Sequence, residues 1–143
     1  LRSENDRKSL IDAINTGLID VITSAHKPED EESKRLPFAQ AATGSIGVET
    51  LLPLVLELYH NKSIKLQKLI ELITVNPAKI LKINKGTLKT GRDADICLFD
   101  LDEPWKVDVN TLKSKSKNAA IENKTLQGKV QMTFLKGELV FEN

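Results

Sequence analysis

The stretch Ile19-Asp20-Val21-Ile22-Thr23-Ser24-Ala25-His26-Lys27-Pro28-Glu29 decides how the chain is read. From Ile19 to Thr23 it is apolar and β-branched except at Asp20, without the alternation of a half-exposed strand, which predicts a strand buried as in a parallel sheet. Upstream, Ser3 and Asp6 stand at the spacing of a capping box. Leu10, Ile11, Ile14 and Leu18 then share one face of a helix that ends near Gly17. Helix followed by buried strand is α/β order.

Downstream lies a long polar loop, His26 to Arg35, with Pro28 and the acidic run Glu29 to Glu32; a loop of this length in a compact domain is functional or mobile. Glu49 to His60 is apolar on nearly every side and predicts a helix that more protein must cover. Ser63 is expected to cap a helix through Leu66, Leu69, Ile70 and Ile73, and Asn76 with Pro77 to restart a short one. From Gly86 the pattern changes to short runs broken by turn residues: Thr87–Lys89, Ala94–Phe99, Trp105–Val109, Lys129–Leu135 and Glu138–Phe141. The last two flank Lys136 and Gly137, a two-residue hairpin connection. The expected organisation is a helical section of an α/β barrel over residues 1–82 and a small β subdomain over 83–143. One parallel strand needs parallel neighbours, so the barrel section reads as the last part of a larger protein. The apolar surfaces of Leu51–Tyr59 and Ile19–Thr23 would then be left for other protein to cover.

Composition narrows the function. With 21 Lys and Arg against 20 Asp and Glu, the net charge of +1 gives no field to draw nucleic acid or an anionic membrane. Lys113 to Asn118 is basic but lacks a glycine cradle or interleaved aromatics, and reads as a solvated connection rather than a phosphate site. The single Cys97 sits in an apolar run as a small buried thiol, with no second cysteine for an internal disulfide, which fits a reducing cytoplasm. Leu51 to Leu58 is too short to cross a bilayer, so a soluble protein is expected. Two histidines and one cysteine fall short of a zinc ligand set within this chain, and Gly44-Ser45-Ile46-Gly47 lacks the spacing of a G-x-S-x-G nucleophile elbow. Barrel enzymes place reacting groups at the C-terminal ends of strands, which makes the loop after Ile22 the candidate region. His26 alone reads either as a loop histidine making a local hydrogen bond, the commoner case, or as a catalytic group.

The residues around that loop carry a resemblance. Leu1 to Arg7, then Ser24-Ala25-His26-Lys27-Pro28-Glu29 with Lys34 beyond, is similar to the bacterial type I dihydroorotases of the amidohydrolase superfamily. Their signature here ordinarily reads Thr-Asp-His-Ala-Pro-His, with a lysine five residues on. The likeness runs on through Leu36-Pro37-Phe38, Gly44, Ile46 to Pro53, Asn76 to Ile80, Gly86 to Asp100 and Ser114 to Asn118, ending at Gly137.

What the resemblance implies is a binuclear zinc (β/α)8 barrel that interconverts carbamoyl aspartate and dihydroorotate in pyrimidine biosynthesis. An aspartate at the end of its eighth strand would hold a metal and shuttle a proton. That aspartate falls at Ala25, whose methyl does neither. The family's substrate-contacting histidine falls at Glu29, whose charge is expected to repel the substrate carboxylates, and its backbone contact to the ring falls at Thr43 and Gly44. The other metal ligands and a substrate-binding asparagine would precede Leu1, so this chain alone is expected to bind no zinc and to be inactive.

Two functions follow, with a homo-oligomer implied for either. In one, the complete protein is a working dihydroorotase that uses Glu29 or Asp30 as a shifted carboxylate. In the other it is a non-catalytic homologue kept as a structural partner of aspartate transcarbamoylase, which the chemistry favours because Ala25 and Glu29 depart from the signature together. An allantoinase or hydantoinase is a third and weaker reading, since those enzymes also need the aspartate.

Overall fold

Helix α1 (Glu4–Thr16) begins where its sequence says it should. In the computed structural model, which describes residues 3–143, the Ser3 hydroxyl accepts from the Asp6 N–H at 3.1 Å and the Asp6 carboxylate accepts from the Ser3 N–H at 3.0 Å. This reciprocal box satisfies two N–H groups that a helix start leaves free. Leu1 and Arg2, with which the family resemblance opens, lie outside the described residues. The helix stops at Gly17, whose φ of 81° is the left-handed conformation that glycine takes without a Cβ penalty. Ile14 is buried in a cluster with Val55, Ile64, Leu69 and Leu72, against which Ile11, Ile19 and Ile22 pack.

Ile19 to Thr23 is not a strand. A strand exists only as part of a ladder, and among the described residues none pairs with it. It is held instead by packing and by single bonds: the Ile22 N–H donates to the Leu72 carbonyl at 3.1 Å, and Asn76 Nδ2 to the Asp20 carbonyl at 3.0 Å. The loop beyond it is less irregular than expected, because Asp30 caps a one-turn helix, α2 (Glu31–Lys34).

Three helices follow, α3 (Leu51–His60), α4 (Leu66–Ile73) and α5 (Val75–Ile80). Ser63 does not cap α4, which starts after Lys65; its N–H donates to the Leu58 carbonyl at 2.9 Å and closes the end of α3. Pro77 is the third residue of α5 rather than the first, still within the turn where a missing N–H costs no helical bond. The expected uncovered surface on α3 is absent. Pro53, Val55 and Leu56 are buried and the rest of α3 is half-buried, because the chain's own α4 and sheet pack on it. The uncovered apolar residues lie elsewhere, at Phe38 (100% exposed), Leu18 and Leu88.

The sheet is antiparallel in the order β1 (Ile96–Lys106), β2 (Thr125–Leu135), β3 (Glu138–Glu142). Two expected strands, Ala94–Phe99 and Trp105–Val109, merge into β1 through irregular pairing between Asp100 and Pro104, and Thr87–Lys89 is not a strand. The hairpin at Lys136 and Gly137 forms as its residues predict, with φ of 52° and 86°, the two positive angles of a type I′ turn. Cys97 is exposed rather than buried. Periodicity placed it in an apolar run, but α3 packs on β2, not on the β1 run that carries Cys97. No helix among the described residues is long and apolar enough to cross a membrane.

A second buried cluster, Ile46, Val107, Leu112 and Leu126, joins the segment before α3 to the connection between β1 and β2. This is the packing that positions the candidate site.

Candidate functional site

The site begins at a strained residue. Ala25 is exposed and has φ of 46°, in the left-handed region. That conformation costs a residue with a Cβ roughly 1–2 kcal/mol, and asparagine and aspartate are among the residues that tolerate it best. Position 25 thus has a backbone that aspartate tolerates better than alanine, and its side chain offers no donor atom. Replacing Ala25 with Gly should raise the unfolding free energy by about 0.5–1 kcal/mol, the strain relieved less the extra freedom of the unfolded chain. A urea titration checks this, and a fall in midpoint would mean the strain is not there.

His26 follows, and its Nδ1 accepts from the N–H of Gly47 at 3.0 Å and of Val48 at 3.3 Å. A nitrogen that accepts carries no proton, so Nε2 carries it. Of the two readings of His26, the local hydrogen bond is the one the geometry gives: the ring ties the loop to the turn before α3. That turn passes close, since a Cβ on Gly47 would lie 2.8 Å from the Ser24 carbonyl oxygen.

Lysines then gather the three residues for which the resemblance implies substrate contact. The Lys27 N–H donates to the Ser45 carbonyl at 2.9 Å, and its Nζ reaches the Thr43 carbonyl at 2.7 Å and the Glu29 carboxylate at 2.9 Å. Lys34 Nζ donates to the carbonyls of Ala42 at 2.8 Å and Gly44 at 3.0 Å. Gly44 has φ of 144°, and a Cβ there would lie 2.7 Å from the Lys27 carbonyl oxygen, so only glycine fits without a shift. Glu29, Thr43 and Gly44 are therefore brought together around Lys27.

This alters the electrostatics expected of Glu29. Its carboxylate is one-fifth exposed and paired with the Lys27 ammonium, so an approaching anion meets an ion pair rather than a lone negative charge. Asp30, the other proposed shifted carboxylate, is committed to the start of α2, where it accepts from the Ser33 N–H at 2.8 Å. The Ser33 N–H and hydroxyl hold its carboxyl below the usual range. Among the described residues no three His, Cys, Asp or Glu side chains converge. Ala25 lacks a donor, His26 Nδ1 is occupied and Glu29 faces Lys27, so the loop by itself does not fit a zinc site.

Several residues that hold this arrangement were missed in the sequence. Lys113 to Asn118 is not simply a solvated connection: the N–H groups of Lys113 and Ser114 donate to the Glu49 carboxylate at 2.8 and 3.0 Å, and Ser116 and Asn118 reach the Glu29 loop. Their signal was alternation. Lys113, Lys115 and Lys117 are exposed, while Ser114, Ser116 and Asn118 between them are half-buried. A separate groove of about 660 Å³, bordered by Pro53, Trp105, Leu112 and Phe141, includes none of Glu29, Thr43 or Gly44.

The chain matches the amidohydrolase family over residues 1–140. It is 42% identical over 142 residues to a dihydroorotase of Ehrlichia chaffeensis, a match covering 99% of this chain and 32% of that protein. With a dihydroorotase of Aquifex aeolicus the identity is 41% over 143 residues, 100% of this chain and 34% of the relative. Among solved structures, L-hydantoinase (dihydropyrimidinase) from Arthrobacter aurescens superposes with a TM-score of 0.87 at 34% identity, covering 98% of this chain and 32% of that one. Dihydropyrimidinase from Brevibacillus agri superposes with a TM-score of 0.92 at 25% identity, covering 100% and 32%. The chain spans about a third of the length of the curated relatives it matches.

Proposed function

Because this chain belongs to the amidohydrolase family, we propose that it forms the C-terminal section of a dihydroorotase-type cyclic amidohydrolase acting on carbamoyl aspartate and dihydroorotate. Residues 1–82 would supply the end of a (β/α)8 barrel and residues 83–143 a β subdomain. The observation that carries this reading is the convergence of Glu29, Thr43 and Gly44 around Lys27. The dihydroorotase relatives, at 42% and 41% identity, support the choice of substrate class.

In this reading the chain contributes binding rather than acid–base chemistry. The Gly44 carbonyl already accepts from both Lys34 and Asn118, so what Gly44 can offer a ring is its N–H, a donor for a ring carbonyl, while the Thr43 carbonyl accepts from Lys27 alone and keeps one lone pair. The Lys27–Glu29 pair offers an ammonium to a substrate carboxylate when Glu29 gives way. Zinc, which the resemblance implies for the family, needs donors that this loop does not present.

Ala25 favours a second reading, a non-catalytic homologue in a homo-oligomer that serves aspartate transcarbamoylase as a structural partner. The loop keeps its hydrogen-bonded shape while its acid–base group is missing.

Both readings assign no turnover to the chain alone. Elemental analysis beside a carbamoyl aspartate cyclisation assay should find neither zinc nor activity in it. Stoichiometric zinc with turnover would overturn that division of labour and point to His26 and Glu29 as ligands. Co-sedimentation with aspartate transcarbamoylase separates the readings, since only the second expects the two proteins to migrate together in the absence of substrate.

A further inference from the structure

We infer that Asn118 is a positioning residue of the candidate site, whose side-chain amide fixes the Glu29 loop against the Gly44 turn. The amide bonds to both. Its Nδ2 donates to the Gly44 carbonyl at 3.1 Å, and its Oδ1 accepts from the Glu29 N–H at 3.4 Å. Ser116 Oγ lies within hydrogen-bonding reach of both the Asn118 Oδ1 and the Glu29 carbonyl, and its one proton serves either.

The Asn118 backbone adds a second level. Its carbonyl accepts from the Ser45 hydroxyl at 3.0 Å and the Ile46 N–H at 3.3 Å, and Ser45 Oγ in turn accepts from the Ala120 N–H at 2.9 Å. Two segments distant in sequence, the Glu29 loop and the turn from Gly44 to Ile46, are thus held by one residue. Only a side chain with a donor and an acceptor on one rigid plane makes both of its bonds. Aspartate would keep the acceptor for Glu29 and turn a second oxygen toward the Gly44 carbonyl, and alanine would keep neither. Asn118 lies outside the buried cluster of Ile46, Val107, Leu112 and Leu126, so its amide bears on the loops more than on the core.

The inference rests on reading Glu29 and Gly44 as site residues, but its test reads backbone protection and needs no turnover, so the two ideas fail separately. The experiment is residue-resolved amide hydrogen exchange on the 143-residue chain. In Asn118→Ala, exchange at Glu29 should rise about tenfold, and so should exchange at Lys27, whose own acceptor, the Ser45 carbonyl, is untouched by the substitution. Val107 and Asn123, bonded within the β1–β2 connection, should keep their rates. Asn118→Asp should restore protection at Glu29 but not at Lys27, and Lys115→Ala, an exposed neighbour, should change neither. An unchanged Lys27 rate in Asn118→Ala would overturn the inference. So would equal acceleration at Val107 and Asn123, which would make Asn118 a support of the fold at large.

Discussion

Leu56→Ala is expected to lower the unfolding free energy of the chain by about 2–5 kcal/mol, the range for a large-to-small change in a packed core. Leu56 is fully buried on α3, facing Gly128 on β2. Gly128→Ala should cost a comparable amount for the opposite reason. Its φ of 100° is a conformation that L side chains rarely adopt, and a Cβ there would run into Leu56 Cδ1. Left-handed strain of roughly 1–2 kcal/mol and overpacking of roughly 1–3 kcal/mol act together. The two substitutions should not add. The space left by Leu56→Ala receives the methyl of Gly128→Ala, so the double variant should be more stable than the sum predicts, by roughly 0.5–3 kcal/mol. Urea titrations of the four proteins measure the cycle, and simple additivity would mean that α3 does not lie on β2 as described. The contact matters for the site because α3 begins just after the turn that His26 and Glu49 hold.

What could be read from the sequence was local. The capping box at Ser3 and Asp6 and the hairpin at Lys136 and Gly137 each depend on residues a few positions apart, and both form as expected. Ile19 to Thr23 forms no strand within this chain, because a strand depends on partners, and among the described residues none pairs with it. β1 was broken in two because the run Asp100 to Pro104 carries turn residues. The Asp100 carboxylate accepts from the N–H groups of Asp102 and Glu103 at 2.8 and 3.0 Å, which shapes an irregularity inside a continuous strand.

Barrel geometry marked the loop after Ile22 as the candidate region, but its individual residues, Ala25, Glu29, Thr43 and Gly44, were legible only through family resemblance. Periodicity was silent on all of them. Neither periodicity nor the likeness, which runs through Ser114 to Asn118, gave Asn118 a role, because its partners lie 74 and 89 residues away and its polar surroundings disguise it as a surface connection. Nor did either foresee that Lys27 would neutralise Glu29, a pairing that depends on how the loop turns.

Installing the two side chains that the resemblance implies at positions 25 and 29 should have the largest effect of all, and it must be tried in a protein that carries the remaining length of the relatives. Ala25→Asp with Glu29→His is expected there to raise zinc content and to increase carbamoyl aspartate cyclisation by about a hundred- to ten-thousandfold, the usual contribution of a positioned acid–base group. The backbone is already prepared, because the φ of 46° at position 25 strains alanine more than it would strain aspartate. Glu29→His also removes the carboxylate that holds Lys27, freeing its ammonium for a substrate carboxylate. The two changes should be unequal. Ala25→Asp alone should recover most of the gain, since it replaces the missing ligand and base, while Glu29→His alone should recover little, since binding without proton transfer leaves the barrier in place. Elemental analysis beside the cyclisation assay on all four proteins decides it. Zinc and robust turnover in the unmodified protein would sink the idea that Ala25 is the lesion. If the double variant keeps its loop protected from exchange yet gains neither metal nor rate, the lesion lies outside this chain and the structural-partner reading becomes the stronger one.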